Sequence, residues 1–204
     1  FIGKKQQPYP IVLQLCKNCG HTQLQHVVRP ESIYTNYIYQ TVSSPGLIKH
    51  FHEYANFVVR RVRPPKGTYV VDIGSNDGTL RKDFNSHGLS VLGGDPAKLI
   101  ARFASKQGVP TIPKFFGTNL AQAIRKKYGQ ASIITANNTI ANVDNLGGFI
   151  EGISKLLSPS GVFVFETSYL LDMIKNMIFD VIYHEHISYF SVSQFLLSLS
   201  VKPQ

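Results

Sequence analysis

Tryptophan is absent from this chain, and cysteine and methionine occur only twice each. So few cysteines fit a reducing compartment better than a disulfide framework. No apolar run approaches the roughly 20 residues that a membrane-spanning helix needs. The start, Phe1-Ile2-Gly3-Lys4-Lys5, lacks the apolar stretch of a secretory signal. The expectation is a cytoplasmic protein without a membrane partner. Neither Gly-x-Gly-x-x-Gly nor His-Glu-x-x-His occurs, which argues against a nicotinamide fingerprint and a zinc-protease helix. Acids are also scarce: 12 Asp and Glu face 21 Lys and Arg, a net charge of +9. The basic residues lie in short scattered groups, such as Arg60-Arg61-Arg63 and Arg125-Lys126-Lys127. They suit solvated helix faces better than a nucleic-acid stripe, so no nucleic-acid partner is expected. The missing initiator Met and the abrupt end at Pro203-Gln204 read as a fragment or a processed chain.

What is present centres on Val70-Val71-Asp72-Ile73-Gly74-Ser75-Asn76-Asp77-Gly78-Thr79-Leu80. Two β-branched residues lead into Asp-x-Gly-x-x-x-Gly, and a helix-like segment follows. This is a strand, a tight glycine turn and a helix N-terminus. Gly74 and Gly78 tolerate positive φ and let a ligand approach the backbone. Asp95 lies 23 positions after Asp72, at the end of Ser90-Val91-Leu92-Gly93-Gly94. An acid closing the second strand at about that distance is where nucleotide-binding folds hold a ribose diol. Asp95-Pro96 would also cap an ordinary helix.

Strand and helix patterns alternate from residue 67 onward. Strands are expected at 69–73, 90–94, 109–112, 132–136 and 162–166. Helices are expected from the glycine turn to Gly88, at 97–107 with Leu99, Ile100 and Phe103 inward, at 118–128 capped by Thr118, at 144–157 capped by Asp144, and at 168–178. The alternation implies an α/β fold with a doubly wound parallel sheet of five strands. Upstream, Leu47, Ile48, Phe51, Tyr54, Ala55, Val58 and Val59 keep a helical period, and Pro64-Pro65-Lys66-Gly67 ends that helix. Three parts result: 1–30 with the cysteines, a Tyr-rich and helical connector 31–66, and a nucleoside-binding domain 67–204.

Three further clusters carry chemistry. Cys16-Lys17-Asn18-Cys19 is half of a tetrahedral zinc site, which needs four ligands. His21 and His26 could complete it at an unusual spacing, upstream ligands could, or the pair could be free thiols. Asn137-Asn138 follows the strand at 132–136, at the edge where open parallel sheets bind ligands. Two amides there suit a cofactor or substrate, or simply a turn. In Tyr183-His184-Glu185-His186 an extended backbone would put Tyr183 and Glu185 on one face, whereas a tight loop would let all four converge. Histidine and glutamate are the usual general acid-base groups. A solvated polar loop is the plain alternative.

Taken in order, these segments resemble the nucleotide-sugar C-methyltransferases that use S-adenosylmethionine (SAM). The resemblance rests on Cys16-x-x-Cys19-Gly20-His21-x-Gln23-Leu24, Tyr37-x-Tyr39, the glycine turn, Asp95-Pro96-Ala97, Ala136-Asn137-Asn138, and Tyr183-His184-Glu185-His186 with Ser188-Tyr189-Phe190. It implies a Rossmann-like class I methyltransferase sheet, truncated at its C-terminus, behind a small N-terminal zinc-binding module. It implies SAM held by Asp72, Gly74, Ser75, Asn76, Gly78, Asp95, Asn137 and Asn138, and structural zinc on Cys16 and Cys19. It also implies a dTDP-type nucleotide-linked 4-keto-deoxysugar as substrate, methylated at carbon through an enolate. His186 is then the candidate base, with Glu185 and Tyr183 supporting it and Tyr37 and Tyr39 lining the sugar pocket. Asn142 stands where that family usually has a histidine. The alternatives are a methyltransferase for another acceptor, from which the Asn/Asp-Pro-Pro-Tyr signature of base N-methyltransferases is missing, or an inactive SAM-fold binding module.

Overall fold

The structure is a computed structural model that describes Gly3 and residues 7–200, with side chains described as far as Leu196. Five parallel strands form the central sheet in the order β5-β4-β3-β6-β7. They are β3 (Tyr69–Ile73), β4 (Ser90–Gly94), β5 (Thr111–Ile112), β6 (Ala131–Asn137) and β7 (Leu157–Glu166). The order reverses beside β3, so the loops after β3 and β6 open onto one crevice. Successive strand residues face opposite sides. Val70, Val91 and Ile133 pack under the helices α2 (Pro45–Val62) and α3 (Thr79–Ser86). Val71, Leu92 and Ile134 pack under α5 (Thr118–Tyr128) and α6 (Leu146–Leu156).

Helix α2 starts with Pro45 at its first turn and ends on Arg63 in the left-handed region, φ 51°. Its buried stripe is Phe51, Tyr54, Ala55 and Val58, with Leu47 and Val59 packed partly against it, while Ile48 of the expected set is exposed. Ahead of it lie the short helix α1 (Pro30–Tyr34) and a 3-10 turn at Thr41–Ser43.

A second, antiparallel sheet joins the chain ends. The hairpin β1 (Leu13–Leu15) and β2 (Thr22–Leu24) carries the cysteine turn, and β2 pairs with β8 (Ser188–Tyr189). The N-terminal hairpin is therefore docked onto the strand that follows Tyr183-His184-Glu185-His186.

Several local expectations fail for identifiable reasons. In α4 (Lys98–Lys106) the buried residues are Ile100, Ala101 and Ala104, while Leu99 and Phe103 are 69% and 42% exposed. Small alanines face the sheet here, and the larger residues turn outward. The cap of α6 is Asn145, whose side chain accepts from the Gly148 amide at 2.9 Å, and not Asp144. Thr118 is the first residue of α5 and not its cap; its hydroxyl donates across to the Gly148 carbonyl. The turn at 158–161 is a bulge inside β7, because Leu157 already pairs with Ala131 before Val162 pairs with Ile133. Helix α7 is shorter than expected, Leu170–Lys175.

Candidate active site

The C-terminal ends of β3, β4 and β6 open into a cavity of about 420 Å³. Its floor is the glycine loop. Gly74 has φ 72°, and a Cβ there would lie 2.2 Å from the Thr139 hydroxyl. Only glycine lets the β6 loop close on β3 at this point. Gly78 also has positive φ, but it abuts Val109 and starts α3, and it is not among the cavity's lining residues. Here it turns the chain into α3.

Asp95 spans the loop. Its two oxygens accept from the amides of Asn76 and Ala97, each at 2.9 Å, and the residue lines the cavity. Burial pushes its carboxyl above the usual range, the two amide bonds pull it back, and Asp77 raises it again. Asp72, 5% exposed, accepts from the Thr135 hydroxyl at 2.7 Å. Burial pushes its pKa to about 7, with Asp95 adding to the rise. Glu31, Asp72, Asp95 and Asp144 all line the cavity, and no Lys, Arg or His among the described residues does. In a chain of net charge +9, this gathers the scarce acids around one space.

Asn76 holds a strap of the connector over this loop. Its backbone takes φ 48°, and its side chain donates to the Tyr39 carbonyl and accepts from the Thr41 amide. Asp77 accepts from the Val42 amide at 2.8 Å. The amide of Asn76 therefore serves the strap, and its backbone serves Asp95.

Buried polar atoms without hydrogen-bond partners mark where a ligand fits. They include the Ser75 hydroxyl, both amide atoms of Asn137 and Oδ1 of Asn142, all on cavity-lining residues. Space above Gly94 is open, since nothing lies within 4 Å of a Cβ placed there. Unmet donors and acceptors together with acids suit a ligand carrying hydroxyls, an amide-pairing edge and positive charge, as SAM does. Asn138, φ 51°, also lines the cavity.

The opposite wall is aromatic: Tyr34, Tyr37, Tyr39, Phe115 and Phe116. Tyr37 and Tyr39 are there as expected from the sequence. Tyr34, the two phenylalanines and Asp77 carry no motif of their own, although the close spacing of Tyr34, Tyr37 and Tyr39 is a signal for a shared wall. Behind it lies the Tyr183-His184-Glu185-His186 turn. The Tyr34 hydroxyl donates to the Glu185 carbonyl and the Tyr37 hydroxyl to Glu185 Oε2, each at 3.2 Å. Burial, then the Glu185 charge, raises both phenols above their ordinary values. His186 Nδ1 faces the Val181 carbonyl at 2.8 Å, which fixes the proton on Nδ1 and leaves Nε2 as acceptor. The Tyr183 hydroxyl meets that Nε2 at 3.3 Å. Tyr183, Glu185 and His186 thus converge, but they sit behind the tyrosines and do not themselves line the cavity. His184 turns away to the Tyr9 carbonyl, 2.9 Å.

Cys16 and Cys19 are free thiols at the tip of the N-terminal hairpin, where the Gly20 amide donates to the Cys16 carbonyl. Backbone amides of Cys19 and Asn18 aim at the Cys16 sulfur and hold its thiol below the usual range. His21 is not available to complete a metal site: it contacts the Ser188 hydroxyl at 3.2 Å and packs on Phe190. Among the described residues no group of three or more His, Cys, Asp or Glu could hold a metal. The two thiols supply two of the four donors a tetrahedral site needs.

A family model described as a methyltransferase domain matches residues 46–197. The chain belongs to the methyltransferase domain family. Its Rossmann-like sheet, glycine loop and cavity are those of SAM-dependent methyltransferases. It is similar to the C-methyltransferase NovU of Streptomyces niveus, 33% identical over 184 residues, which cover 90% of this chain and 44% of that protein. It is also similar to the ubiquinone biosynthesis O-methyltransferase of Azorhizobium caulinodans, 24% identical over 124 residues, which cover 59% of this chain and 47% of that one. The chain thus spans under half the length of both relatives. Among solved structures, the YcgJ protein of Bacillus subtilis aligns with a TM-score of 0.56 at 18% identity, covering 73% of this chain and 67% of that one. The plantazolicin methyltransferase BpumL, in complex with SAH, aligns with a TM-score of 0.56 at 11% identity, covering 74% and 60%. At these identities the structural likeness speaks for the fold alone.

Proposed function

We propose that this domain transfers a methyl group from SAM to a carbon next to a ketone, on a nucleotide-linked 4-keto-deoxysugar of the dTDP type. The observation that carries the reading is the two-sided cavity. One side is a nucleoside-type loop ending in Asp95; the other is a tyrosine wall bonded to a Tyr-His-Glu-His turn. Kinship with a C-methyltransferase supports carbon as the acceptor atom.

SAM, when bound, supplies an electrophilic methyl group. Asp72, Gly74, Ser75, Asn76, Asn137 and Asn138 form its seat in this reading, and Asp95 meets the ribose hydroxyls. The chain's own task is to remove a proton α to the ketone and hold the resulting enolate in place. The C–H electron pair moves into the enolate, and the proton goes to His186 Nε2, the accepting nitrogen of the neutral ring once Nδ1 donates to the Val181 carbonyl. The Tyr37–Glu185 pair and Tyr39 orient the sugar. Because the tyrosines stand between His186 and the cavity, closure on a bound sugar must bring Nε2 within hydrogen-bond reach; catalytic bonds often tighten only in the complex.

The test is incubation of the full natural chain with SAM and a dTDP-linked 4-keto-6-deoxyhexose. A mass gain of one methyl group on the sugar, located on carbon by NMR, supports the reading. Methylation on oxygen, or of an unrelated acceptor only, contradicts it.

We further propose that Cys16 and Cys19 are two of four ligands of a structural zinc site. The support is the Cys-x-x-Cys turn at the hairpin tip, closed by the Gly20 amide on the Cys16 carbonyl, which presents two free thiols from one turn.

A further inference from the structure

Asn142 has one amide atom in use and one idle. It ends the 3-10 turn Ile140–Asn142 after β6, and the neighbouring Ala141 carbonyl accepts from the Ile187 amide at 2.7 Å. That bond ties the turn to the segment just after His186. The side chain of Asn142 is hydrogen-bonded to the Tyr34 hydroxyl and pulls that phenol's pKa downward. Tyr34 in turn gives its proton to the Glu185 carbonyl. Tyr34 thus stands between the Asn142 amide and the His186 turn. What remains is Oδ1, buried, without a partner, on a residue that lines the cavity.

A buried acceptor left unmet is costly, and in a ligand cavity the missing donor is expected on the ligand. Asn137 is also unmet, but it ends β6 beside Asp72 and the glycine loop. Asn142 lies five residues further on, against the tyrosine wall, and so faces the methyl acceptor.

We propose that Asn142 Oδ1 accepts a hydrogen bond from a hydroxyl of the methyl-accepting substrate, and that Asn142 is a specificity-determining residue of this domain. An amide neither takes up nor releases a proton at neutral pH, so its contribution is recognition. A site built around a fixed acceptor discriminates strongly against a substrate lacking the matching donor. The inference rests on the sugar-methylation reading above.

The experiment compares wild type, Asn142→Leu and Asn142→Asp in the full natural chain, with a dTDP-linked 4-keto-6-deoxyhexose as probe. Asn142→Asp keeps an acceptor oxygen; Asn142→Leu removes it at similar size. KM for the sugar should rise about 10-fold in Asn142→Leu, the worth of one hydrogen bond. The aspartate variant, which keeps an acceptor but loses the amide donor beside Tyr34, should raise KM less than Asn142→Leu, and SAM affinity by calorimetry should not move in either. Monodeoxy versions of the probe should identify one hydroxyl whose removal costs wild type about the same factor and Asn142→Leu nothing. If wild type methylates the probe and Asn142→Leu has an unchanged KM, the inference is overturned while the reading of function stands. A selective loss of SAM affinity overturns it too, since the idle oxygen then serves the cofactor. If wild type neither binds nor methylates the probe, the reading of function falls and the inference with it.

Discussion

The Tyr37 hydroxyl donates to Glu185 Oε2 at 3.2 Å, although the two residues are 148 positions apart in sequence. This bond joins the connector ahead of the methyltransferase sheet to the turn that carries His186. It sits at the boundary between the cavity and that turn. Tyr37→Phe removes the donor and leaves a half-buried carboxylate short of one partner. The expected outcome is a 10- to 100-fold lower kcat/KM for the keto sugar, as for loss of a charged hydrogen bond of about 1.5–3 kcal/mol, with SAM affinity preserved. Steady-state kinetics beside calorimetry measure both; equal losses in the two would mean that the strap as a whole has moved.

Asp95 should dominate affinity for the cofactor. In Asp95→Ala the ribose acceptor disappears, and the amides of Asn76 and Ala97 lose their shared partner. SAM binding should weaken by about 1.5–3 kcal/mol. An unchanged affinity by calorimetry contradicts the assignment.

Asp72 gives the ligand-free protein a pH signature. Its folded pKa, about 7, lies above the ordinary carboxyl value of 3.8. Over that interval the folded state holds a proton that the unfolded state has released. Stability from this group is therefore full below about pH 4 and is lost as pH rises toward and through 7. Between pH 5 and 8 the contribution should fall by a few kcal/mol, on the order set by 1.36 kcal/mol per pKa unit. Denaturant unfolding of wild type and Asp72→Asn at both values checks this. The difference between the two proteins should depend on pH in that window, and a constant difference contradicts it.

Zinc is tested directly by metal analysis of the full natural chain purified without chelator. About one zinc per chain is expected, as a four-ligand site requires, and Cys16→Ser should lower both the zinc content and the melting temperature. A zinc-free protein contradicts the proposal.

The sheet was legible in the sequence because its signals are local. Val70-Val71 before Asp72, the spacing to Asp95 and the period of α2 each follow from strand and helix geometry. The inward face of α4 was misread because hydrophobicity alone favours Leu99 and Phe103, whereas close packing on the sheet selected Ala101 and Ala104. Gly74 and Gly78 carry the same letter, and only the fold separates the glycine that lines the cavity from the one that turns the chain into α3. Tyr34 and Asp77 escaped notice because their roles depend on partners, Glu185 and Val42, that only the folded chain brings near. A tight loop was expected to let all four residues of the tetrapeptide converge; Tyr183, Glu185 and His186 do, while His184 turns to the Tyr9 carbonyl, and neither that split nor the screening tyrosine wall had a sequence signal.

The central claim is that His186 takes the proton next to the sugar ketone, and solvent deuterium exchange at that carbon reads it most directly. The wild-type full chain, incubated with the 4-keto sugar in deuterated water, should exchange that hydrogen. His186→Ala should slow both exchange and methyl transfer by about 10²–10⁴, the usual worth of general acid-base catalysis, with SAM affinity unchanged. Exchange persisting at the wild-type rate in His186→Ala would show that another group removes the proton.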